Sequence, residues 1–114
     1  TENNRISGWA ALSAVSSREV YSGVAEVSVY VAKHAQGNGV GQKLLAQLII
    51  TSERNNIWML QAGIFPENIG SIALHKKNGF RQLGVREKIG KMNGVWRDSV
   101  FMERRSQIVG ISDN

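Results

Sequence analysis

The sequence contains no cysteine, one proline and few aromatic residues, and it has no long apolar run. Without cysteine, the chain has no disulfide framework, no thiolate nucleophile and no thiolate metal ligand. A helix that crosses a membrane needs roughly 18 or more consecutive apolar residues, which this sequence does not provide. Its polar opening residues also differ from the apolar segment of a secretory signal peptide. A cytoplasmic setting is therefore expected, with neither a metal nor a membrane partner.

The remaining composition is typical of one small globular domain spanning residues 1–114. Hydrophobic residues make up 42% of the chain and charged residues 20%, and the chain has 114 residues. This length is enough for one modest hydrophobic core and too short for two. The net charge of +5 favours an anionic partner. Positive residues are adjacent only at Lys76-Lys77 and Arg104-Arg105. That scatter argues against a nucleic-acid surface, whereas a small polyphosphate ligand also fits the charge.

The hydrophobic pattern predicts seven elements in the order β-β-α-β-α-β-β. Strict alternation over residues 24–31 predicts a strand with one apolar and one polar face. Over residues 39–54, apolar residues recur at three- and four-residue steps, which predicts an amphipathic helix. The other strands are expected at 6–15, 57–65, 80–91 and 95–104, and a second helix at 68–78.

This order predicts an α/β fold with a mixed sheet. Strand, helix, strand implies a parallel pair with a right-handed crossover, and hairpins at each end add antiparallel strands. Asn93-Gly94 is a strong hairpin signal, and Gly79 follows the second helix where a left-handed C-cap is expected. Because ligands bind beyond the carboxyl ends of parallel strands, the site is expected at the glycine-rich turn and at the loop containing Pro66.

The glycine-rich turn is the most informative segment. It reads Gln36-Gly37-Asn38-Gly39-Val40-Gly41 and lies between a strand and a helix. Glycines allow the backbone to approach a ligand closely, and the amides at a helix start favour a phosphate. Gly41-Gln42-Lys43 lacks the Gly-Lys-Ser/Thr of a P-loop, and Gln42 occupies the position where a dinucleotide fingerprint needs glycine. The pattern that remains is Gln/Arg-x-x-Gly-x-Gly/Ala.

A second cluster follows Pro66. Asn68, Ser71 and His75 are spaced three and four residues apart, so they are expected on one stripe of the second helix. That helix ends in Asn78-Gly79-Phe80. The stripe starts beside the end of a parallel strand, which places it near the glycine-rich turn.

The two motifs resemble those of the GNAT-superfamily N-acetyltransferases, and histidine at position 75 resembles the phosphinothricin and methionine sulfoximine acetyltransferases among them. The resemblance runs from Gly8-Trp9-Ala10 to Met102. It implies the GNAT (acyl-CoA N-acyltransferase) fold, with acetyl-CoA as cosubstrate and a small amino-acid-like amine as acceptor. Against a complete GNAT domain, this sequence is expected to lack the first strand, the first two helices and the second strand, with Asn3-Asn4 as the turn entering the third strand.

The resemblance also implies roles for particular residues. The backbone of residues 29–31 would bind the pantetheine arm, residues 37–42 would cradle the pyrophosphate, and Glu26 and His75 would carry acid/base chemistry. The residues so implied for acetyl-CoA are Val29, Tyr30, Val31, Gln36, Gly37, Asn38, Gly39, Val40, Gly41, Gln42, Asn68 and Ser71.

Transfer of an acetyl group from a thioester to an amine requires one group that accepts a proton and is helped by one that donates a proton. An ammonium must lose a proton before it attacks a thioester, and a carboxylate such as Glu26 is suited to accept it, directly or through water. His75 titrates in the range suited to protonate a departing thiolate. Which of the two is the base is left open. No covalent acyl-enzyme is required, in keeping with the absence of cysteine.

Two alternatives to an active enzyme remain: a module that only binds CoA, and a basic domain that binds nucleic acid. A chain that lacks part of the acceptor pocket would bind CoA without turnover, and a basic interaction domain would show salt-dependent binding to nucleic acid. An unpaired first strand would also be a template for association, so a homodimer is expected.

Overall fold

The computed structural model describes residues 8–111. Within them the seven predicted elements occur in the predicted order: β1 (Gly8–Ala14), β2 (Val24–Val31), α1 (Val40–Arg54), β3 (Met59–Ile64), α2 (Ile69–Lys77), β4 (Arg81–Met92) and β5 (Val95–Arg105). Short 3-10 helices at Glu19–Tyr21 and Lys33–Ala35, which the pattern did not predict, precede β2 and α1. Residues 6 and 7 of the predicted first strand, and the predicted turn at Asn3-Asn4, lie outside the described residues.

The strands form one mixed sheet in the order β1-β2-β3-β5-β4. Only β2 and β3 pair in parallel, whereas β1–β2, β3–β5 and β4–β5 pair antiparallel. The connections β2-α1-β3 and β3-α2-β4 advance in the same direction along the sheet. Since such crossovers are right-handed, α1 and α2 lie on the same face, where they contact each other.

The core lies between the helices and that face of the sheet. Ala25 and Val27 of β2 are buried there, and Leu45 and Ile49 of α1 cover them. Leu45 and Ile49 are one helical turn apart and share one face of α1, as the apolar spacing predicts. The other buried members of this core are Leu60, Ala62, Ile64, Phe80, Val100 and Met102.

The opposite side of the sheet, called here the open face, carries the alternate residues of the strands. Glu26, Ser28 and Tyr30 of β2 project from it and are exposed. On the neighbouring strand Trp9 stacks on Tyr30, with ring centroids 6.0 Å apart. The predicted two-faced pattern of β2 is confirmed.

The hairpin of β4 and β5 extends past the rest of the sheet, because β3 pairs only with residues 100–105 of β5. Its turn residues Asn93 and Gly94 both have positive φ, 50° and 79°, which confirms the turn predicted from Asn-Gly. A bulge interrupts β4 between Arg86 and Gly90. Lys88 lies within it at φ 50°, and its backbone N–H donates to the Asp98 carboxylate at 2.9 Å.

Candidate active site

The site begins where the two parallel strands separate. The β2–β3 ladder runs from Val24–Met59 to Glu26–Gln61 and includes no later pair among residues 8–111. Beyond that point the facing edges of residues 27–31 and 62–64 are not paired with each other. Because backbone N–H and C=O groups require partners, this gap is suited to an extended ligand that carries amides.

A cleft of about 550 Å³ opens along the free edge of β2 and the glycine-rich turn. We call it the larger cleft. The sequence-predicted residues that line it are Val29, Tyr30, Val31, Gln36, Gly37, Gly39, Val40, Gly41, Gln42, Asn68 and Ser71. Ala35, Gly70 and Leu74 also line it, and the sequence analysis did not name them. The turn after β2 and the start of α2 are thus brought together, although the sequence places them apart.

The glycine-rich turn presents backbone amides to this cleft. Gly37 and Gly39 have φ of 86° and 76°, values that glycine adopts without strain. A Cβ at either would meet nothing within 4 Å, so both glycines border open space. Lys43 donates the first helical hydrogen bond, to the Gly39 carbonyl at 3.1 Å. The amides of residues 40–42 therefore have no helical acceptor, and no acidic residue lies in this turn to repel an anion.

Three predicted members of the turn differ in what they do. A Cβ on Gly41 would lie 3.0 Å from Leu74 Cδ2 and 3.3 Å from Val31 Cγ2, so Gly41 permits close packing. The Gln42 side chain bonds to Asn78 and not to the turn, which leaves its backbone amide as the group for an anion. Asn38 does not line the cleft, and its N–H donates to the Ala35 carbonyl at 3.3 Å.

A smaller cleft of about 220 Å³ lies in the gap between β2 and β3. Glu26 and His75 both line it. Val29, Asn68 and Ser71 line this cleft as well as the larger one, so the two clefts adjoin at these residues. A ligand in the larger cleft and a second molecule in the smaller cleft would therefore meet beside Asn68 and Ser71.

His75 is almost fully buried, with 3% of its surface exposed. Its Nδ1–H donates to the Ser71 carbonyl oxygen at 2.7 Å, and its ring packs edge-on against Phe80 with centroids 4.9 Å apart. Burial lowers the pKa of His75, and the hydrogen bond to Ser71 opposes part of that change. The side chain is therefore neutral at neutral pH.

The other ring nitrogen, Nε2, is left with a lone pair in this tautomer. Nε2 bonds to no group among residues 8–111, yet no occluded side-chain nitrogen or oxygen there lacks a partner. Nε2 is therefore not fully buried, and His75 is one of the residues that line the smaller cleft. A neutral imidazole that presents a lone pair accepts a proton and cannot donate one from that atom.

Asn68 caps the helix that carries His75. Its Oδ1 accepts from the Ser71 backbone N–H at 3.1 Å, as expected for an asparagine N-cap. The Asn68 Nδ2 group has two N–H donors, which suit a carbonyl or hydroxyl oxygen of a ligand. The stripe predicted for Asn68, Ser71 and His75 is thus present, with Asn68 and Ser71 at the junction of the clefts.

Sequence reasoning missed the wall that β3 contributes to the smaller cleft. Gly63 and Phe65 line it, and a Cβ on Gly63 would lie 2.8 Å from Ser99 Oγ. A larger residue at position 63 would therefore displace the Ser99 side chain. The position of Pro66 after a parallel strand marked this loop, but nothing in the sequence showed that β5 pairs beside β3.

The geometry matches a known family. Residues 1–101 match the family described as acetyltransferase (GNAT) domain. The chain belongs to this family. The mixed sheet with two helices on one face is the GNAT fold, which confirms the predicted fold class.

Several GNAT relatives are similar over most of this chain. The L-methionine sulfoximine/L-methionine sulfone acetyltransferase of Salmonella typhimurium is 35% identical over 90% of this chain and 60% of its own length. The ribosomal-protein-alanine N-acetyltransferase of Brucella melitensis superposes with a TM-score of 0.86 at 35% identity, covering 93% of this chain and 65% of that one. The phosphinothricin acetyltransferase of Sinorhizobium meliloti, solved with AcCoA, has a TM-score of 0.86 at 30% identity, covering 98% and 60%.

The predicted likeness to phosphinothricin and methionine sulfoximine acetyltransferases is therefore confirmed. The chain spans less than two thirds of each of these relatives. No helix among residues 8–111 is long and apolar enough to span a membrane, and no group of acidic or histidine side chains in the same range is arranged to hold a metal.

Proposed function

We propose that this chain forms the acetyl-CoA-binding part of an N-acetyltransferase that acts on the α-amino group of a small amino-acid-like acceptor, of the phosphinothricin or methionine sulfoximine type. The observation that carries the proposal is the junction of two clefts at Val29, Asn68 and Ser71. One cleft has the amides for a pyrophosphate, and the other has the two groups suited to proton transfer. Residues 1–114 are proposed as one such domain, located in the cytoplasm.

The residues that line the larger cleft support acetyl-CoA as its ligand. The first-turn amides of α1, with Gly37 and Gly39, bind the pyrophosphate, and the free edge of residues 29–31 pairs with the pantetheine amides. The Asn68 Nδ2–H donors orient the acyl end at the junction. When bound, acetyl-CoA supplies an activated acetyl thioester.

The smaller cleft holds the acceptor amine between Glu26 and His75. The Glu26 carboxylate lies on the exposed open face at the last β2–β3 pair, where its charge attracts an ammonium. His75 Nε2 then accepts the proton, since the neutral Nδ1–H tautomer can accept at that atom and cannot donate from it. This gives His75 the role of base and leaves Glu26 to bind and orient the ammonium, directly or through water.

The test has two parts, binding and transfer. Isothermal calorimetry measures acetyl-CoA affinity, and mass spectrometry measures acetyl transfer to four acceptors: phosphinothricin, methionine sulfoximine, a lysine peptide and a peptide with N-terminal alanine. We expect acetyl-CoA binding and acetylation of the first two acceptors in preference to the peptides. Activity on the peptides alone would reject the proposed acceptor class, and absence of acetyl-CoA binding would reject the proposal as a whole.

A second candidate is a CoA-binding module without turnover. It requires only the larger cleft and the backbone amides that face it. The same two measurements separate it from the enzyme: it predicts acetyl-CoA binding with no transfer to any acceptor.

We also propose a homodimer. Strand β1 is an edge of the sheet of residues 8–111, and an edge strand with free backbone groups is a template for pairing. The protruding β4–β5 hairpin exposes more than half of Ile89, Val95 and Trp96, an apolar surface of the kind found at subunit contacts. Light scattering after size exclusion gives the mass; a mass of one chain at micromolar concentration would contradict the dimer.

A further inference from the structure

Three adjacent strands, β3, β5 and β4, form the open face beside the smaller cleft, and on this side Gly63 and Phe65 line the cleft itself. Gly63 of β3 lies on the open face, two residues beyond Gln61, the pairing partner of Glu26. Phe101 of β5 is the register partner of Gly63, and Ser99 Oγ approaches Gly63 closely. Residues two apart on a strand share a face, so these side chains stand on the same side of the sheet as Glu26.

Arg86 of β4 is an exposed residue on the same face, next to the residues that line the cleft. It is the register partner of Ser99, and its guanidinium lies over the Phe101 ring, 3.9 Å from the centroid. A guanidinium over an aromatic face is held in place while its N–H edges stay free. Arg86 is therefore a positioned cation beside Gly63, with the Ser99 hydroxyl as its neighbour.

Arg86 differs from the arginines that have structural partners. Arg81, Arg97 and Arg104 pair with Glu103, Glu67 and Glu53. Among residues 8–111, the Arg86 side chain forms no salt bridge and no hydrogen bond. Arg97 also lies over an aromatic ring, that of Phe65, but its charge is compensated by Glu67. Arg86 is therefore the arginine on this part of the open face that has no acidic partner among residues 8–111.

The backbone next to Arg86 has a β-bulge, a feature that often sets the direction of a side chain beside a binding site. The β4 bulge begins directly after it, and the bulge is fixed by the hydrogen bond from the Lys88 amide to Asp98. Bulges of this kind re-aim side chains next to binding sites. The Arg86–Ser99 pair also lies just past Val100, the last β5 residue paired with β3, and Ile64, the partner of Val100, lines the smaller cleft.

The spacing indicates which part of an acceptor reaches Arg86. Phe101 lies two strands from Glu26 and two residues further along the sheet, about 10 Å across and about 7 Å along, which is about 12 Å in all. An α-carboxylate lies too close to the amino nitrogen to bridge that interval. The end of the acceptor's side chain lies further from the amino nitrogen. With a hydrogen bond to the protein at each end, the acceptor can span the interval between Glu26 and Arg86.

We propose that Arg86, assisted by the Ser99 hydroxyl, binds an anionic group at the end of the acceptor's side chain and so determines acceptor specificity. The inference rests on the proposed function, because it places the acceptor amine at Glu26 and His75. Arg86 touches no reacting atom in this scheme; it selects amino acids with an acidic side chain over those with a neutral one.

Two acceptors of similar length test this. Phosphinothricin has an anionic side-chain end, and methionine sulfoximine has an uncharged one. Calorimetry measures the affinity of each for the CoA-bound chain, in the wild type and in Arg86→Gln, Arg86→Lys and Arg81→Gln. Arg81→Gln is the matched control, since it removes an arginine of the same strand that is paired with Glu103.

We expect Arg86→Gln to weaken phosphinothricin binding by about 10- to 100-fold, the usual effect of losing a hydrogen bond to a charged group. Methionine sulfoximine and acetyl-CoA affinities should stay the same, Arg86→Lys should retain part of the preference, and Arg81→Gln should change nothing. Equal weakening of both acceptors, or no change in either, would overturn this inference alone. A wild-type chain that binds neither acceptor nor acetyl-CoA would overturn the proposed function with it.

Discussion

Gln42 and Asn78 exchange two side-chain hydrogen bonds, of 3.0 and 2.9 Å, although 36 positions separate them in the sequence. Gln42 lies in the first turn of α1, and Asn78 follows the last residue of α2. Asn78 Nδ2 also donates to the Leu74 carbonyl at 2.9 Å. The pair therefore joins the helix start beneath the glycine-rich turn to the helix that carries His75, which fixes the two clefts relative to each other.

The first prediction concerns this amide pair. Gln42→Ala and Asn78→Ala should each lower the free energy of unfolding by about 1–2 kcal/mol, because each leaves a part-buried amide without its partner. In a double-mutant cycle the two losses should be strongly non-additive. Urea denaturation measures them. Gln47→Ala is the control, since Gln47 makes only an exposed 3.4 Å contact with Thr51. Additive losses would show that the two amides act independently.

The second prediction concerns the glycine-rich turn. Gly39 has φ 76°, and a Cβ there would meet no atom within 4 Å. A side chain at this position therefore causes backbone strain but no steric clash, and two side chains of the same shape differ only in charge. Asparagine tolerates this conformation better than most residues. Gly39→Asp adds a carboxylate where the pyrophosphate must lie, and should weaken CoA binding by about 2 kcal/mol more than the isosteric Gly39→Asn. Equal affinities of the two variants by calorimetry would argue against a phosphate at this turn.

The sequence predicted the fold well because local signals agreed with each other. Alternating apolar residues predicted β2, and apolar residues at three- and four-residue steps predicted α1. The hairpin glycine, Gly94, and the C-cap glycine, Gly79, both have the expected positive φ, 79° and 92°. The elements that were missed, the 3-10 helices before β2 and α1, are single turns too short to leave a periodic pattern.

The candidate site was less predictable, and for a physical reason. The glycine-rich turn is local in sequence, so its lining residues were named almost completely. The residues proposed to bind the acceptor's side chain are not local: Ser99 and Arg86 come from β5 and β4, and only the sheet order places them beside Gly63 of β3. The tautomer of His75 depends on the Ser71 carbonyl oxygen, a contact that the residue types alone do not reveal.

The third prediction concerns stability and pH. The pKa of His75 is lowered by burial in the folded chain, so the unfolded chain binds that proton more readily. Folding is therefore favoured above the unfolded value, near pH 6.5, and this contribution is lost as pH falls from there toward the folded pKa. The loss of unfolding free energy over that window should be smaller in His75→Leu than in the wild type. His34→Gln, at an exposed position, is the control and should follow the wild type.

The fourth prediction assigns the roles of Glu26 and His75. If His75 Nε2 accepts the ammonium proton, His75→Gln should lower kcat by roughly 10²- to 10⁴-fold, the usual range for a general base. The loss should shrink as pH rises, because more of the amine is then already neutral. The acid limb of kcat/KM should move in this variant to the higher pH range in which the free amine loses its proton, since in the wild type that limb reports the protonation of His75. Circular dichroism checks that the variant remains folded.

Glu26→Gln should behave differently, because Glu26 attracts the ammonium and does not remove its proton in this scheme. We expect a raised KM for the acceptor, a smaller fall in kcat, and an acid limb that persists. The measurement is the pH dependence of kcat/KM for both variants with saturating acetyl-CoA. A large fall in kcat for Glu26→Gln that recovers at high pH, with near-normal rates for His75→Gln, would make Glu26 the base. The Nδ1–H bond to Ser71, which leaves Nε2 as an acceptor, makes the opposite result the expected one.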